Sequence, residues 1–245
     1  MKNIAKKKLK TAENDSKPKS KPKAKDKPKL KPEPKSKKQG MLDIDKLKST
    51  KLITDPYEYL VVTDFIQKDY VDKSLADYPT IKSPGSIPLQ LLKYGANFSA
   101  LIDEMNGDAF RKAVEEKFSV NLEGKPTIFT ARGKCRLRDG KIHTDTESKI
   151  ITVLLYMNPA WFDQGGNLKI LRSDNLGDVA AEIPPLVGTL LVFKRSDKSF
   201  HGHLPFKGKR QVIQMNWVTH QSFVDHEVKR HKRSFIMKAL NPFSY

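Results

Sequence analysis

The chain contains a single cysteine, Cys135, and therefore cannot form an internal disulfide. This excludes the small disulfide-rich scaffolds of secreted proteins and fits a reducing compartment, with the cytoplasm as the expected location. The sequence also lacks an apolar stretch long enough for a signal peptide or a membrane-spanning helix, so neither export nor membrane insertion is expected. A length of 245 residues suits one domain of moderate size plus an appendage.

Acidic residues are scarce in the first 40 positions, where 16 lysines face four acids and account for +12 of the formal net charge of +18. Lysine alternates with proline in stretches such as residues 27–32, so proline blocks helix formation while like charges extend the chain. Residues 1–40 are therefore predicted to be a disordered basic tail. Because this tail lacks aromatic residues for base stacking, it favours nonspecific attraction to a polyanion, such as nucleic acid or the ribosome, over specific recognition. A solvated tail that aids solubility is the alternative.

Residues 41–245 are predicted to form one domain in which helices precede short strands. Apolar residues recur at helical spacing over residues 98–105 and 110–118, and a shorter helix is predicted at residues 69–78. Runs typical of strands lie at residues 57–62, 127–131, 149–157, 167–171, 188–193 and 210–218. A basic, helix-compatible segment, residues 223–240, ends the domain.

This order of elements decides between fold classes. Helices that come before most of the strands, without βαβ alternation, argue against a parallel doubly wound sheet. They predict a mainly β fold with flanking helices and a jelly-roll core, the double-stranded β-helix, over about residues 127–220. The helices before this core are expected to buttress a sheet.

Two imidazoles and one carboxylate lie in a pattern that suits a metal ion. His143 and Asp145 are two residues apart, so on an extended chain they project to the same side. The second imidazole is His201 or His203, which share one short loop. Such a set occupies one face of an octahedral ion and leaves the opposite positions open, as in non-haem Fe(II) oxygenases. Open positions indicate a catalytic site and not a structural one.

Arg210 opens a largely apolar strand, and a guanidinium buried there would need a partner. The carboxylate of a dicarboxylic acid fits, because the planar guanidinium fork binds both carboxylate oxygens, and an internal acidic residue is the alternative. A hydroxyl usually accompanies such an anchor. Tyr156 and Thr152 share one strand face and are candidates, although either also suits ordinary core filling.

Roughly residues 55–220 of the chain resemble the Fe(II)- and 2-oxoglutarate-dependent dioxygenases of the prolyl 4-hydroxylase type. The resemblance rests on the His-x-Asp of residues 143–145, the strand 150–158, Trp161, the segment 165–170, and on His201, Pro205 and Arg210. In that family the second histidine is followed by proline at the fourth position and by Arg or Lys nine or ten positions on. His201 fits this spacing and His203 does not.

What the resemblance implies is specific. His143, Asp145 and His201 would be the iron ligands, Arg210 and Tyr156 would bind the distal carboxylate of 2-oxoglutarate, and Thr152 would be a further pocket residue. Fe(II), the cosubstrate 2-oxoglutarate and O2 would be required, and ascorbate is a further candidate cofactor. The resemblance implies hydroxylation of a substrate with release of succinate and CO2, and it favours peptidyl proline in a protein or peptide. Free amino acids, lysine residues, glycans and nucleobases remain open as substrates. The segment 132–138 lacks the tyrosine that often lines the pocket in this family.

Two other functions remain open at this point. A nucleic-acid or ribosome-associated binding protein would act through the basic tail, and its binding would survive loss of Asp145 but vanish on deletion of residues 1–40. A metal-free cupin-like module is the other possibility. The complete set of His143, Asp145, His201 and Arg210 argues against it, because a degenerate copy has no reason to retain all four.

Overall fold

Helices and strands cover most of residues 40–240, the part of the chain that the computed structural model describes. The helices are α1 (Ile44–Ser49), α2 (Lys68–Ala76), α3 (Ala96–Met105), α4 (Asp108–Phe118) and α5 (Gln221–Leu240), and a 3-10 helix spans Leu89–Leu91. The strands are β1 (Tyr59–Val62), β2 (Ser86–Pro88), β3 (Thr127–Cys135), β4 (Lys149–Tyr156), β5 (Leu168–Leu171), β6 (Val179–Ile183), β7 (Leu190–Lys194), β8 (His201–Gly202) and β9 (Gly208–Val218). No helix among the described residues is long and apolar enough to cross a membrane. The predicted basic tail stays a prediction, since residues 1–39 lie outside the described range.

Two antiparallel sheets form the core. The larger sheet has the strand order β1-β7-β4-β9-β3-β2, and the smaller has the order β6-β5-β8. Side chains from both sheets meet in one buried cluster, in which Leu154 and Tyr156 of β4 lie with Leu168 and Ile170 of β5. The facing antiparallel sheets confirm the predicted mainly β fold with a jelly-roll core.

Strand β4 shows how the sequence places residues on either side of the larger sheet. Successive side chains of a strand point to opposite faces, and the alternation here separates two clusters. Ile151, Val153 and Leu155 join the core beneath the helices, whereas Leu154 and Tyr156 join the cluster between the sheets. Each fully buried aliphatic side chain contributes about 1.5–3 kcal/mol to stability. The polar residue of this strand, Thr152, falls on the face that looks between the sheets.

The helices cover the other face of the larger sheet, as predicted. Their buried side chains include Phe98, Leu101 and Met105 of α3 and Phe110, Val114 and Phe118 of α4. The ring of Phe110 stacks against Trp217 of β9, with ring centroids 5.9 Å apart. The helices therefore support, from behind, the strands that carry polar residues on their front face.

Some boundaries differ from those predicted. Strand β3 continues past the predicted end at residue 131 to Cys135, through an irregularity in its pairing with β9 between Arg132 and Lys134. Helix α2 ends at Ala76 instead of residue 78, because the Tyr78 side chain turns inward and its hydroxyl donates to the main-chain carbonyl of Arg132 at 2.8 Å.

Candidate metal and cosubstrate site

Backbone pairing brings together the two imidazoles of the predicted metal group. His143 and His201 form an isolated antiparallel bridge, in which each main-chain N–H donates to the carbonyl of the other residue at 3.0 Å. Directly paired residues place their side chains on the same face, and the two ring centroids are 4.4 Å apart. Both rings therefore line one cavity between the sheets.

Hydrogen bonds to the main chain determine which nitrogen of each ring can bind a metal. Nδ1 of His143 lies 2.9 Å from the carbonyl oxygen of Lys141, and Nδ1 of His201 lies 2.9 Å from that of Ser199. A carbonyl oxygen only accepts, so each Nδ1 carries the hydrogen and donates it. Each Nε2 consequently keeps its lone pair, as metal-bound imidazole requires.

Asp145 completes a group of three potential ligands. One carboxylate oxygen of Asp145 and one ring nitrogen each of His143 and His201 all lie within 4.8 Å of one another. The carboxylate is buried, with 5% of the residue exposed. Two imidazoles and a carboxylate that converge in this way have the donor chemistry of a non-haem Fe(II) site with open positions.

His203, the rival second histidine, lies outside this group. Its Nδ1 is 2.8 Å from the carbonyl oxygen of Leu204, and its ring packs over the main chain of Gly140, whose φ of +81° suits glycine. Burial, followed by the positive charge of Arg210, lowers the pKa of His203 to about 4. The structure thus brings His201, and not His203, beside His143 and Asp145.

Four further side chains fix the Asp145 carboxylate. The Lys149 ammonium lies 2.6 Å from Oδ1, and the Thr152 hydroxyl donates to Oδ2 at 2.5 Å. Asn216 Nδ2 donates to the Thr152 oxygen at 2.7 Å, and Gln214 Nε2 donates to Asn216 Oδ1 at 3.0 Å. Thr152 and Asn216 are directly opposite in the pairing of β4 with β9, so strand register builds this chain of hydrogen bonds.

The surroundings keep Asp145 ionised despite its burial. Burial raises the pKa of Asp145, but the charge of Lys149 and the hydrogen bonds from Lys149 and Thr152 outweigh this effect, so the pKa lies below its ordinary value. Burial lowers the pKa of His201 to about 4, although the charge of Asp145 opposes the shift. A negative carboxylate beside a neutral imidazole is the combination that a divalent cation needs.

Arg210 and Tyr156 form the second part of the site. Arg210 is buried, and its Nε donates to the carbonyl of Gly166 at 2.8 Å. Its guanidinium carbon lies 5.3 Å from the centre of the Tyr156 ring. Within the described residues, Arg210 Nη2 and the Tyr156 hydroxyl are buried without a hydrogen-bond partner. Because buried polar groups are almost always paired, both atoms indicate that an acceptor such as a ligand carboxylate belongs here.

The metal group and Arg210 line one cavity of about 280 Å³. Tyr156 is fully buried and is not among the residues that line this cavity, whereas Thr152 lines it. Thr152 donates its only hydroxyl hydrogen to Asp145. Thr152 therefore contacts the metal group, and its hydroxyl has no second hydrogen to donate to a ligand beside Arg210. The residues present fit both a divalent iron ion and a dicarboxylate.

Helix α5 forms one wall of this cavity, a role that its sequence alone does not reveal. Four of its side chains line the cavity: Phe223, Glu227, Arg230 and His231. These positions recur at helical spacing and so share one face of α5. Val224 packs on Ile128 and Val218 of the larger sheet and holds the helix in place. Glu227 pairs with Arg230 at 2.5 Å, which puts an ion pair at the cavity wall.

The fold and the site together suit one kind of metal chemistry. A jelly roll with a His-Asp-His group, and with a buried arginine in the same cavity whose Nη2 has no partner among the described residues, has the features of a metal-dependent oxygenase. Residues 135–219 match the family model of the 2OG-Fe(II) oxygenase superfamily. That superfamily uses Fe(II), 2-oxoglutarate and O2, and the matched segment contains His143, Asp145 and His201 of the metal-binding group.

Similar solved structures include prolyl 4-hydroxylases. One from Pseudomonas putida is 16% identical, with 72% of this chain and 97% of that chain covered and a TM-score of 0.48. One from Phytophthora capsici is 15% identical, with coverage of 76% and 68% and a TM-score of 0.49. The viral collagen prolyl hydroxylase of Paramecium bursaria Chlorella virus-1 is 13% identical, with coverage of 68% and 99% and a TM-score of 0.44. No curated protein matches the sequence. Likeness at this level does not extend to the substrate.

Proposed function

We propose that the protein is a 2-oxoglutarate-dependent hydroxylase whose substrate is a peptidyl proline. The observation that carries the hydroxylase assignment is the shared cavity, in which the buried His-Asp-His group lies with an arginine that lacks a partner for Nη2. Support for proline comes from the resemblance of residues 143–210 to prolyl 4-hydroxylases.

In this proposal His143, His201 and Asp145 hold the iron through the two Nε2 atoms and one carboxylate oxygen. Bound Fe(II), with 2-oxoglutarate and O2, supplies the oxidative chemistry that converts 2-oxoglutarate into succinate and CO2 and hydroxylates a substrate C–H bond. The Nδ1–H donations to Lys141 and Ser199 fix both rings in the ligating tautomer. The protein's own part is binding, orientation and exclusion of water.

Arg210 binds the distal carboxylate of 2-oxoglutarate. Its Nε is already held by Gly166, so the free Nη2 is oriented before the cosubstrate arrives. The Tyr156 hydroxyl donates to the same carboxylate. A charge-assisted bond from a buried guanidinium is among the stronger hydrogen bonds in proteins, which makes Arg210 the main determinant of cosubstrate affinity.

The experiment that tests this function is an assay of succinate formed from 2-oxoglutarate. Protein is loaded with Fe(II) without oxygen and then exposed to O2, with and without proline-containing peptides, and peptide mass is followed in the same samples. Wild type is compared with Asp145→Ala and Arg210→Lys. Asp174→Ala and Arg172→Lys are matched controls, since both residues are exposed.

Wild type and both controls are expected to form succinate and to add one oxygen atom to a peptide. Asp145→Ala removes a ligand and should abolish turnover. Arg210→Lys should lower turnover, because an ammonium cannot reproduce the guanidinium fork. Part of this loss should be recovered when 2-oxoglutarate is abundant. Succinate without peptide oxidation would overturn the proline assignment alone. Absence of iron-dependent turnover under all conditions would overturn the hydroxylase assignment.

A further inference from the structure

A second cavity, of about 550 Å³, lies at the end of the larger sheet where β3 and β9 meet. Five of the eight residues that line it are cationic: Lys82, Lys134, Arg136, Lys207 and Lys209. The remaining three are Pro84, Cys135 and Gly208, so no carboxylate is part of the lining. We call the exposed Lys82, Lys134, Lys207 and Lys209 the lysine cluster.

An irregularity in β3 places two members of this cluster side by side. Arg132 pairs with Val212, and both line the metal cavity on the front of the sheet. The pairing then shifts, so that Lys134 lies directly opposite Lys209, whose neighbour Arg210 faces the metal cavity. Because side chains alternate along a strand, Lys209 and its partner Lys134 point to the other face.

Gly133 makes this shift possible. A Cβ at this position would lie 2.7 Å from the carbonyl oxygen and the Cβ of Ile81, which leaves no room for a larger residue. The close approach also brings the segment with Lys82 against the end of β3. The cluster is thus assembled by backbone packing and not only by the high lysine content of the chain.

The cluster concentrates positive charge without an internal counterion. Within residues 40–240, none of the four lysines forms an ion pair or a side-chain hydrogen bond, whereas Arg136 pairs with Asp139 at 3.2 Å. Like charges directly opposite on neighbouring strands destabilise a sheet. The repulsion between Lys134 and Lys209 therefore destabilises this end of the sheet, and a bound anion would relieve it.

We propose that the lysine cluster binds the phosphodiester backbone of a nucleic acid, a function separate from that of the oxygenase site. The lysine ammonium acts as a point charge, so it binds phosphate without the planar two-point geometry by which arginine binds a carboxylate. The lining contains no aromatic ring to stack on a base and no amide or carboxylate to read one. Recognition therefore rests on linked phosphates and is independent of base sequence.

The test compares full-length proteins of equal net charge. Lys134→Gln/Lys209→Gln removes the opposed pair, and Lys112→Gln/Lys117→Gln removes two lysines from α4. Residues 1–40 stay in every protein, so their nonspecific contribution is the same. Binding of a fluorescent single-stranded 20-mer is measured by anisotropy at several salt concentrations, beside poly-glutamate of similar charge, and the melting temperature of each variant is recorded.

The cluster variant should bind the 20-mer at least about fivefold more weakly than the α4 variant, and the slope of log K against log salt should fall by about 1.4, the value for two phosphate contacts on a single strand. Its melting temperature should equal or exceed that of wild type, since a like-charge repulsion is removed. Equal weakening of both variants would overturn the proposal, because charge alone would then explain binding. Equal losses for poly-glutamate and the 20-mer in the cluster variant would overturn the assignment to nucleic acid.

Discussion

Single residues around Asp145 determine whether the carboxylate presents the right oxygen to a metal. Thr152 donates to one oxygen, and Asn216 orients the Thr152 hydroxyl by donating to its oxygen. All three side chains are at least nine-tenths buried, so water does not substitute for a lost partner at low cost. We expect metal affinity to depend on these two neighbours as well as on the ligands.

Replacing Thr152 by valine should weaken metal binding with little change in shape. The variant leaves one Asp145 oxygen and the Asn216 amide without their partner, and loss of such outer hydrogen bonds typically costs about 10–100-fold in metal affinity. Calorimetric titration with Mn(II) in the absence of oxygen measures the dissociation constant. Thr130→Val is the matched control, because Thr130 lines the same cavity but does not contact Asp145. Equal affinities for the two variants would contradict a positioning role for Thr152.

The metal group and Arg210 could be predicted from the sequence because each rests on a local pattern. The two-residue spacing of His143 and Asp145 gives a shared face on any extended chain, whatever the rest of the fold. The choice of His201 over His203 could not be made from local geometry. It depended on the spacing from the second histidine to Pro205 and Arg210 that prolyl 4-hydroxylases share. The roles of Lys149 and Asn216 were missed, because they depend on which residues of β4 and β9 stand opposite each other.

At the scale of elements, helix α5 contributes the partly exposed Glu227 and His231 and the exposed Arg230 to the cavity wall. Its inward face carries Glu227, whose pKa is lowered by the hydrogen bond and charge of Arg230 although burial raises it. An ionised carboxylate paired with an arginine can exchange that partner for a substrate group. We expect this face of α5 to affect substrate binding and to leave the metal group intact.

Glu227→Gln should change the Michaelis constant for the oxidised peptide about threefold to tenfold, as loss of one charged hydrogen bond of roughly 1 kcal/mol implies. The dissociation constant for Mn(II) and the Michaelis constant for the cosubstrate should remain those of wild type. Lys229→Gln is the control on the same helix, because Lys229 is exposed and does not line the cavity. A change in metal affinity without a change in the peptide's Michaelis constant would show that α5 supports the metal group instead.

The elements that the sequence predicted are those with enough residues to show a period. Strands β4 and β9 are rich in β-branched and aliphatic residues and run for 8 and 11 residues. Strand β8 has two residues and β2 has three, too few for any alternation to be visible. Strand β6 was missed for a different reason, since four of its five residues are only partly buried or exposed and it lacks a clear apolar face.

At the scale of the whole molecule, the larger sheet joins the site to the main core. Its back packs on the helices through a cluster that includes Phe110 and Trp217, and its front carries Thr152, Arg210 and Asn216. A ligand that crosses from the His143–His201 bridge to Arg210 would tie the smaller sheet to the larger one. Ligand binding should therefore stabilise the complete fold and not only the cavity.

Metal and cosubstrate are expected to raise the melting temperature in two separable steps. A ligand present at about 100 times its dissociation constant stabilises the folded state by about 2.7 kcal/mol. For a domain of about 150–250 residues this corresponds to roughly 5–10 °C. Calorimetry without oxygen, first with Mn(II) and then with Mn(II) and 2-oxoglutarate, measures both increments.

The variants assign each increment to its residues. Asp145→Ala should lose the Mn(II) step and with it the 2-oxoglutarate step, because in the proposed function the cosubstrate would bind at the metal as well as at Arg210. Arg210→Lys should keep the Mn(II) step and lose most of the second, since its altered group meets only the distal carboxylate. If 2-oxoglutarate stabilised wild type equally with and without Mn(II), the two halves of the cavity would be independent sites. Two dependent steps would instead show that the metal and the cosubstrate bind in one shared site.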